Sequence, residues 1–270
     1  MTFAFAQAAA QGAWGDYPEL VVTVTEQSVS APASLPAGFY RLVIDDRTEL
    51  RPEVFFLRIG EGSTNEEVHT AFHAVETAGS EGGNVGAALV NLRSIAALVG
   101  GRSTPDSVII ELKEGEHSLA TSLKDAAGNS VTSTIMVTAN AAAPNAPTAD
   151  VRVEMADFAF ALPATVAAGQ QTWQVVNSGN QIHHLILMRL NDGVTFDDLM
   201  AFMGAGGPPS GPPPFQMAIT TDLLTNSESN FFLVDLAEGN YVAICFLPDE
   251  DSGAPHFALG MMQEFSVPGN

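Results

Sequence analysis

Apolar and polar residues alternate with a period of two along much of the chain. Val21 to Thr25 (VVTVT), Trp173 to Val176 (WQVV), Phe231 to Val234 (FFLV) and Tyr241 to Phe246 (YVAICF) are runs of β-branched and aromatic residues. Turn-forming residues separate them at short spacing, which predicts strands of an antiparallel sandwich with Greek-key connections. Two places break the pattern. Thr64-x-x-Glu67 and Thr195-x-x-Asp198 are capping boxes followed by apolar positions, and each predicts a short helix. Asp197 and Asp198 complement the dipole of the second helix and need no catalytic role. After these helices the chain takes two different courses. Val85 to Val99 is an apolar stretch expected to be helical, whereas Gly204 to Phe215 (GAGGPPSGPPPF) reads as a stiff surface loop.

The elements recur. At a constant offset of 131, Pro32 meets Pro163, Ala37-Gly38 meets Ala168-Gly169, Arg58-Ile59 meets Arg189-Leu190, Gly62 meets Gly193 and Thr64 meets Thr195. A second block sets Leu112 on Leu236, Glu114-Gly115 on Glu238-Gly239 and Asp125 on Asp249. Proline and glycine in register over such a length mark a duplication. The expected organisation is all-β, with two tandem Greek-key sandwiches that each carry a helix insertion. They occupy residues 19–140 and 151–270, joined by a linker at 141–150 and preceded by a segment at 1–18.

Composition narrows the function classes. The 270 residues suffice for two cores, and 46% hydrophobic residues with a mean hydropathy of +0.15 place the chain among folded proteins. The formal net charge is -21 and the pI about 4.3, so a phosphate backbone or an anionic lipid surface would be repelled. The longest apolar run is interrupted by Asn91 and Arg93, so neither nucleic-acid binding nor membrane insertion is expected. Cys245 is the only cysteine, which excludes an intrachain disulfide. Near the N-terminus, Ala4-Phe5-Ala6 fits the tail of a secretory signal, so a periplasmic or extracellular setting is expected.

The candidate chemistry lies where the copies differ. The second contains His183-His184 ahead of an apolar strand, Cys245 in YVAICFL, and His256 and Met261 in HFALGM. The first has Pro52 and Glu53, Thr121 and Val131 near the corresponding places. Two imidazoles, a thiolate and a thioether suit a type 1 copper centre, with a trigonal plane and a distant axial sulfur. Asn177-x-Gly179 leading into His183, Gly239-x-Tyr241-x-x-x-Cys245, and His256-x-x-x-Gly260-Met261 together resemble the cupredoxin family. The resemblance implies His183, Cys245 and His256 as equatorial copper ligands and Met261 as the axial one. Neighbouring residues of a strand face opposite ways, so His184 is the alternative to His183 rather than a second ligand. In the family the cysteine and the second histidine share one tight loop. Here ten residues, Phe246 to Pro255 (FLPDEDSGAP), intervene and predict a looser return.

Other clusters read as structural. Asp249-Glu250-Asp251 is expected to be a solvated acidic loop rather than a Ca²⁺ site. His69 and His73 have a zinc-compatible spacing of four but no evident third ligand. The chain has no His-x-His pair of the kind multicopper oxidases use, no G-x-S-x-G elbow and no P-loop, so an enzyme is not expected. The leading expectation is electron transfer or copper binding by the second copy, with a cationic redox protein as partner. The alternative is a metal-free binding or scaffolding subunit of a larger extracytoplasmic assembly.

Overall fold

The computed structural model describes residues 14–104, 106–126, 128–204 and 211–269. The Ala4-Phe5-Ala6 motif and residues 205–210 of the glycine- and proline-rich run lie outside the described residues. The first half contributes β1 (Glu19–Thr25), β2 (Ser28–Ser30), β3 (Ser34–Pro36), β4 (Gly38–Asp46), β5 (Val54–Ile59), α1 (Asn65–Glu81), α2 (Val85–Ile95), β6 (Ala96–Gly101), β7 (Val108–Leu112), β8 (Gly115–Lys124) and β9 (Ser130–Thr138). The second contributes β10 (Val151–Ala156), β11 (Ala159–Ala161), β12 (Gly169–Asn177), β13 (Ile186–Leu190), α3 (Phe196–Gly204), β14 (Phe215–Thr220), β15 (Ser229–Leu236), β16 (Gly239–Ile244) and β17 (Met262–Val267). Among the described residues no helix is long and apolar enough to cross a membrane.

These strands form three sheets. One has eight strands in the order β11-β10-β12-β15-β7-β4-β1-β2, and it runs through both halves. The five-stranded sheet β3-β9-β8-β5-β6 and the four-stranded sheet β14-β13-β16-β17 belong to the first and second halves respectively. Side chains from all three enter one continuous core, including Leu20, Phe56, Ile110, Trp173, Phe232, Tyr241 and Cys245. The halves are fused where β7 and β15 pair antiparallel, with Val108 opposite Phe232 and Ile110 opposite Asn230. On the outer face of that seam Trp14 packs with Ile109, Phe231 and Leu233. The sheets are not purely antiparallel, as the strand pattern suggested. β1 pairs parallel to β4 and β10 parallel to β12, because the opening hairpins β1–β2 and β10–β11 sit at the sheet edges and the chain crosses over before returning beside them; the edge strand β3 also pairs parallel, with β9.

Period-two patterning explains where the helices sit. In β5, Val54 and Phe56 face the central core while Phe55 and Leu57 face outward, where α1 and α2 cover them with Phe72, Leu89 and Leu92. In β13, Leu187 faces inward and Ile186, Met188 and Leu190 face α3 through Leu199. A strand covered on both faces reads as a continuous apolar run, as VFFL does. The two capping boxes form as the sequence requires. Thr64 accepts from the Glu67 backbone N–H while the Glu67 carboxylate accepts from Thr64, and Thr195 and Asp198 repeat the exchange. The apolar stretch Val85 to Val99 is helical only to Ile95. Ala96 turns extended (φ −150°, ψ 153°), and the rest becomes β6, an edge strand paired with β5 that buries Leu98 and Val99.

Backbones approach closely where β6 meets the second half. A Cβ on Gly101 would lie 1.8 Å from the Val54 carbonyl oxygen and 2.0 Å from Asp222 Oδ2. Gly101→Ala is therefore expected to lower unfolding stability by about 2–3 kcal/mol in urea titration. A loss below about 0.5 kcal/mol, the range of ordinary surface substitutions, would show that this contact is not tight.

Candidate metal centre

The approach to His183 is fixed by a polar turn at the end of β12. Asn177 Oδ1 accepts from the Gly179 N–H at 2.8 Å, and its amide donates to the Gln181 and Leu224 carbonyls at 2.8 and 2.7 Å. His183 and Leu224 exchange backbone hydrogen bonds at 3.0 and 2.9 Å, which locks the His183 main chain. The side chain is oriented from across the fold by Asp157, in the β10–β11 turn. Its carboxylate accepts from the backbone of Asn180 and Gln181, from the Asn180 amide and, at 3.1 Å, from His183 Nε2. Burial pushes the Asp157 carboxyl up, but these four donors outweigh it and hold the pKa down to about 2, so the group is ionised. Gly179 is required by space, since a Cβ there would lie 2.4 Å from Asp157 Oδ1 and 2.7 Å from His183 Nε2.

Cys245 follows β16 directly and continues its inward face behind Tyr241 and Ala243. The ten residues after it do not wander. His256 N–H donates to the Leu247 carbonyl at 2.7 Å, Phe257 N–H to the Cys245 carbonyl at 3.0 Å, and Asp249 N–H to the Ala254 carbonyl at 2.8 Å. The Asp249 carboxylate binds the Ser252 N–H and hydroxyl at 2.8 and 2.6 Å. The insertion is thus a closed hairpin that returns His256 beside Cys245, not the looser loop its length suggested. Nor is its acidic cluster a solvated loop, because Asp249 is buried inside the turn it organises.

His183, Cys245 and His256 converge with every donor atom within 4.8 Å of the others, and each residue is fully buried. His183 Nδ1 lies 3.1 Å from His256 Nδ1, and His256 Nδ1 lies 3.5 Å from Cys245 Sγ. The outer nitrogens decide the tautomers. His183 Nε2 faces an ionised carboxylate, so it must carry the proton. His256 Nε2 is 3.0 Å from Gln181 Oε1, whose orientation is fixed because the same oxygen accepts from Glu250 N–H and the Gln181 amide donates to Asp249. His256 Nε2 is therefore a donor too. Burial pushes the His183 pKa down to about 4 and also lowers that of His256, so both rings are neutral near pH 7. Two bare Nδ1 lone pairs then face each other in a dry pocket, and the single Cys245 thiol proton can serve only one of them. Donors bound to a single metal ion at about 2.0–2.3 Å sit about 3–4 Å apart; the His183–His256 and His256–Cys245 spacings of 3.1 and 3.5 Å fall in that range, and all three donors lie within 4.8 Å of one another. The donor set thus fits a soft or borderline cation, with Asp157 and Gln181 as the outer hydrogen-bond partners such ligands require.

The other predicted residues lie outside this trio. His184 faces away from this cluster, and its Nε2 accepts from the Phe246 N–H at 3.0 Å. Met261 is fully buried in the core containing Cys245, and the Cys245 N–H donates to its carbonyl at 3.3 Å. His69 bonds Ser118 and Thr132, and His73 lies beside Glu76, in the helical layer of the first half. Asp157, Phe158 and Gln181 were not anticipated. Phe158 holds a left-handed backbone (φ 63°) and sets its ring edge-on to His256, with centroids 5.4 Å apart. Asp157 stands 26 residues before His183, across two strands, and no local spacing points to it.

No protein-family model and no curated protein matches the chain. Among solved structures it is similar to dithionite-reduced auracyanin from Roseiflexus castenholzii, at 20% identity over 44% of this chain and 95% of that one, with a TM-score of 0.29. It is also similar to auracyanin A, a blue copper protein from Chloroflexus aurantiacus, at 20% identity, 43% and 95% coverage and a TM-score of 0.27. A variant of the multicopper oxidase McoA from Aquifex aeolicus matches over 98% of this chain and 70% of its own, at 12% identity and a TM-score of 0.25. At such values the fold stands on the strands and side chains described above. It is mostly β, with three sheets around a shared core and a buried His–Cys–His cluster among the described residues.

The hairpin carries its own pH signature. Hydrogen bonds from the Ser252 hydroxyl, the Gln181 amide and the Ser252 N–H hold the Asp249 carboxyl down to about 2, below the usual 3.8. A depressed carboxyl stabilises the fold above its ordinary pKa, and that contribution is lost as pH falls through the folded value. Amide protection of residues 249–254, corrected for intrinsic exchange, is expected to hold from pH 7 to 5 and to fall between about pH 4 and 2. Asp249→Asn should remove that acid-dependent fall, as hydrogen exchange would show.

Proposed function

We propose that the protein is a copper-binding electron carrier whose site would be formed by His183, Cys245 and His256, with Met261, buried in the same core as Cys245, as the candidate further donor. The observation that carries this reading is the pair of neutral imidazoles turned Nδ1 to Nδ1 at 3.1 Å beside a buried thiol. A thiolate and two imidazoles are the donor set that selects copper in a trigonal site. When bound, copper supplies a one-electron couple at the thiolate–imidazole centre. The chain's residues supply the remainder. Asp157 and Gln181 hold the Nε2 protons, so the Nδ1 atoms are free to bind, and Cys245 is the one donor that must release a proton. Full burial of all three leaves no open position for a substrate, which favours electron exchange over catalysis.

Residues 19–140 and 151–270 are read as two copies of one unit, only the second bearing a site. The net charge of -21 favours a cationic redox partner steered over long range. The strongly acidic composition suits a solvated surface in an extracytoplasmic setting, and recovery of the native protein in the cytosolic fraction would refute this placement.

Addition of Cu(II) to the purified, metal-free protein is expected to give an intense absorption band near ~600 nm from copper–thiolate charge transfer. Cys245→Ser should abolish the band, and His183→Ala or His256→Ala should weaken copper retention after desalting. A colourless wild-type protein that retains no stoichiometric copper would overturn the reading.

A further inference from the structure

The helical layer over the first half makes contacts that its own sheet does not require. Ile182, the residue before His183, is 1% exposed and lies in the apolar cluster formed by Phe55, Leu57, Phe72, Leu89 and Leu92. Leu223 and Leu247 pack against the same cluster, so the second half inserts three side chains into it. Leu247 is the hairpin residue whose carbonyl anchors His256. Arg93, near the end of α2, reaches Glu250 in a bidentate pair at 2.7 and 2.6 Å. The Glu250 side chain is 7% exposed and that of Arg93 35%. The hairpin backbone also rests on the start of α2. A Cβ on Gly86 would lie 2.5 Å from the Glu250 carbonyl oxygen. Glu250 in turn donates its N–H to Gln181 Oε1, the atom that accepts from His256 Nε2. An unbroken chain of contacts thus runs Arg93, Glu250, Gln181, His256.

We infer that the helical layer of the first half is a positioning scaffold for the metal centre of the second, with Arg93 the residue that fixes the Cys245–His256 hairpin. The inference rests on the copper reading for its metal readout, but its mechanical content holds in the metal-free protein. A half without ligands of its own thereby gains a role, because it supplies the rigidity that a ten-residue insertion between two ligands would otherwise lose. Arg93 touches neither ligand, and it acts through Glu250 and Gln181. A forked guanidinium–carboxylate pair restricts orientation as well as distance, which a single-point contact would not.

The test uses the full chain with Arg93→Met, Glu250→Gln, Arg93→Lys and the double exchange Arg93→Glu with Glu250→Arg. Lys124→Met, which breaks the Lys124–Glu76 pair elsewhere in the first half, is the control. In the metal-free protein, Arg93→Met and Glu250→Gln are expected to speed amide exchange across 247–255 and thiol labelling of Cys245 by about three- to tenfold. Arg93→Lys and the double exchange should restore part of the loss, and Lys124→Met should leave both rates unchanged. In the copper-loaded protein the same two variants should shift the visible band and speed copper extraction by a chelator. Unchanged exchange and labelling in both Arg93→Met and Glu250→Gln would overturn the inference, as would equal effects from Lys124→Met. A wild-type chain that retains no copper would overturn the copper reading alone, because the metal-free rates would still decide the scaffold.

Discussion

Two imidazole nitrogens that each hold a lone pair are held 3.1 Å apart in a pocket without solvent. Left to themselves, neutral rings would rotate or change tautomer to put a proton between them. They do neither, because each outer nitrogen is committed to an acceptor that cannot take the donor role. The Asp157 carboxylate is ionised by four donors, and the Gln181 oxygen is fixed by the Glu250 N–H. The rest of the site follows from that constraint. Gly179 must lack a side chain, the β10–β11 turn must place Asp157 against it, and Phe158 accepts a left-handed backbone to cover His256. Such strain persists only where surrounding structure imposes it.

The fusion of the halves makes this constraint affordable. Because β7 and β15 pair, one eight-stranded sheet joins what would otherwise be two sandwiches meeting only at side chains. Both inner faces feed a single core, and the helical layer of the first half reaches the ligand-bearing end of the second through Ile182, Leu223 and Leu247. Full burial of an aliphatic side chain contributes roughly 1.5–3 kcal/mol, which Ile182 reaches and the partly buried Leu223 and Leu247 approach in part. These three together outweigh any single polar contact at the junction, where hydrogen bonds contribute about 0.5–1.5 kcal/mol each. Apolar insertion therefore supplies the strength of the junction, and Arg93–Glu250 supplies its direction.

What the sequence discloses divides along a physical line. The alternating run VVTVT and the continuous apolar run YVAICF both declared strands through their β-branched and aromatic residues, and the capping boxes at Thr64 and Thr195 declared helix starts because their hydrogen bonds are local. The three side chains that converge were readable from their types, since the structure gathers His183, Cys245 and His256 at one point. Long-range polar partners were not readable. Asp157 bonds His183 across 26 positions, and Arg93 meets Glu250 across 157, with no spacing rule to connect them. The parallel strand pairs escaped for a related reason, since alternation records which face is buried but not which neighbour lies beside it. The end of α2 at Ile95 was also hidden, because an apolar run suits a buried helix and an edge strand alike.

The insertion between Cys245 and His256 shows why chain length is a poor guide to rigidity. Each doubling of a flexible loop adds only about 0.6 kcal/mol of closure entropy, so extending a tight turn to ten residues costs about 1 kcal/mol. Against this stand the hydrogen bonds that the extra residues make: Asp249 to Ser252 twice, Asp249 to Ala254, and His256 to Leu247. At about 0.5–1.5 kcal/mol each, these offset the closure cost before any contact with α2 is counted. A short loop is stiff because it has few conformations. This one is stiff because its conformations have been selected by internal bonds and by a neighbouring helix. The difference is functional, since a hairpin anchored from outside can be tuned by residues far from the ligands, whereas a minimal loop offers no such handle.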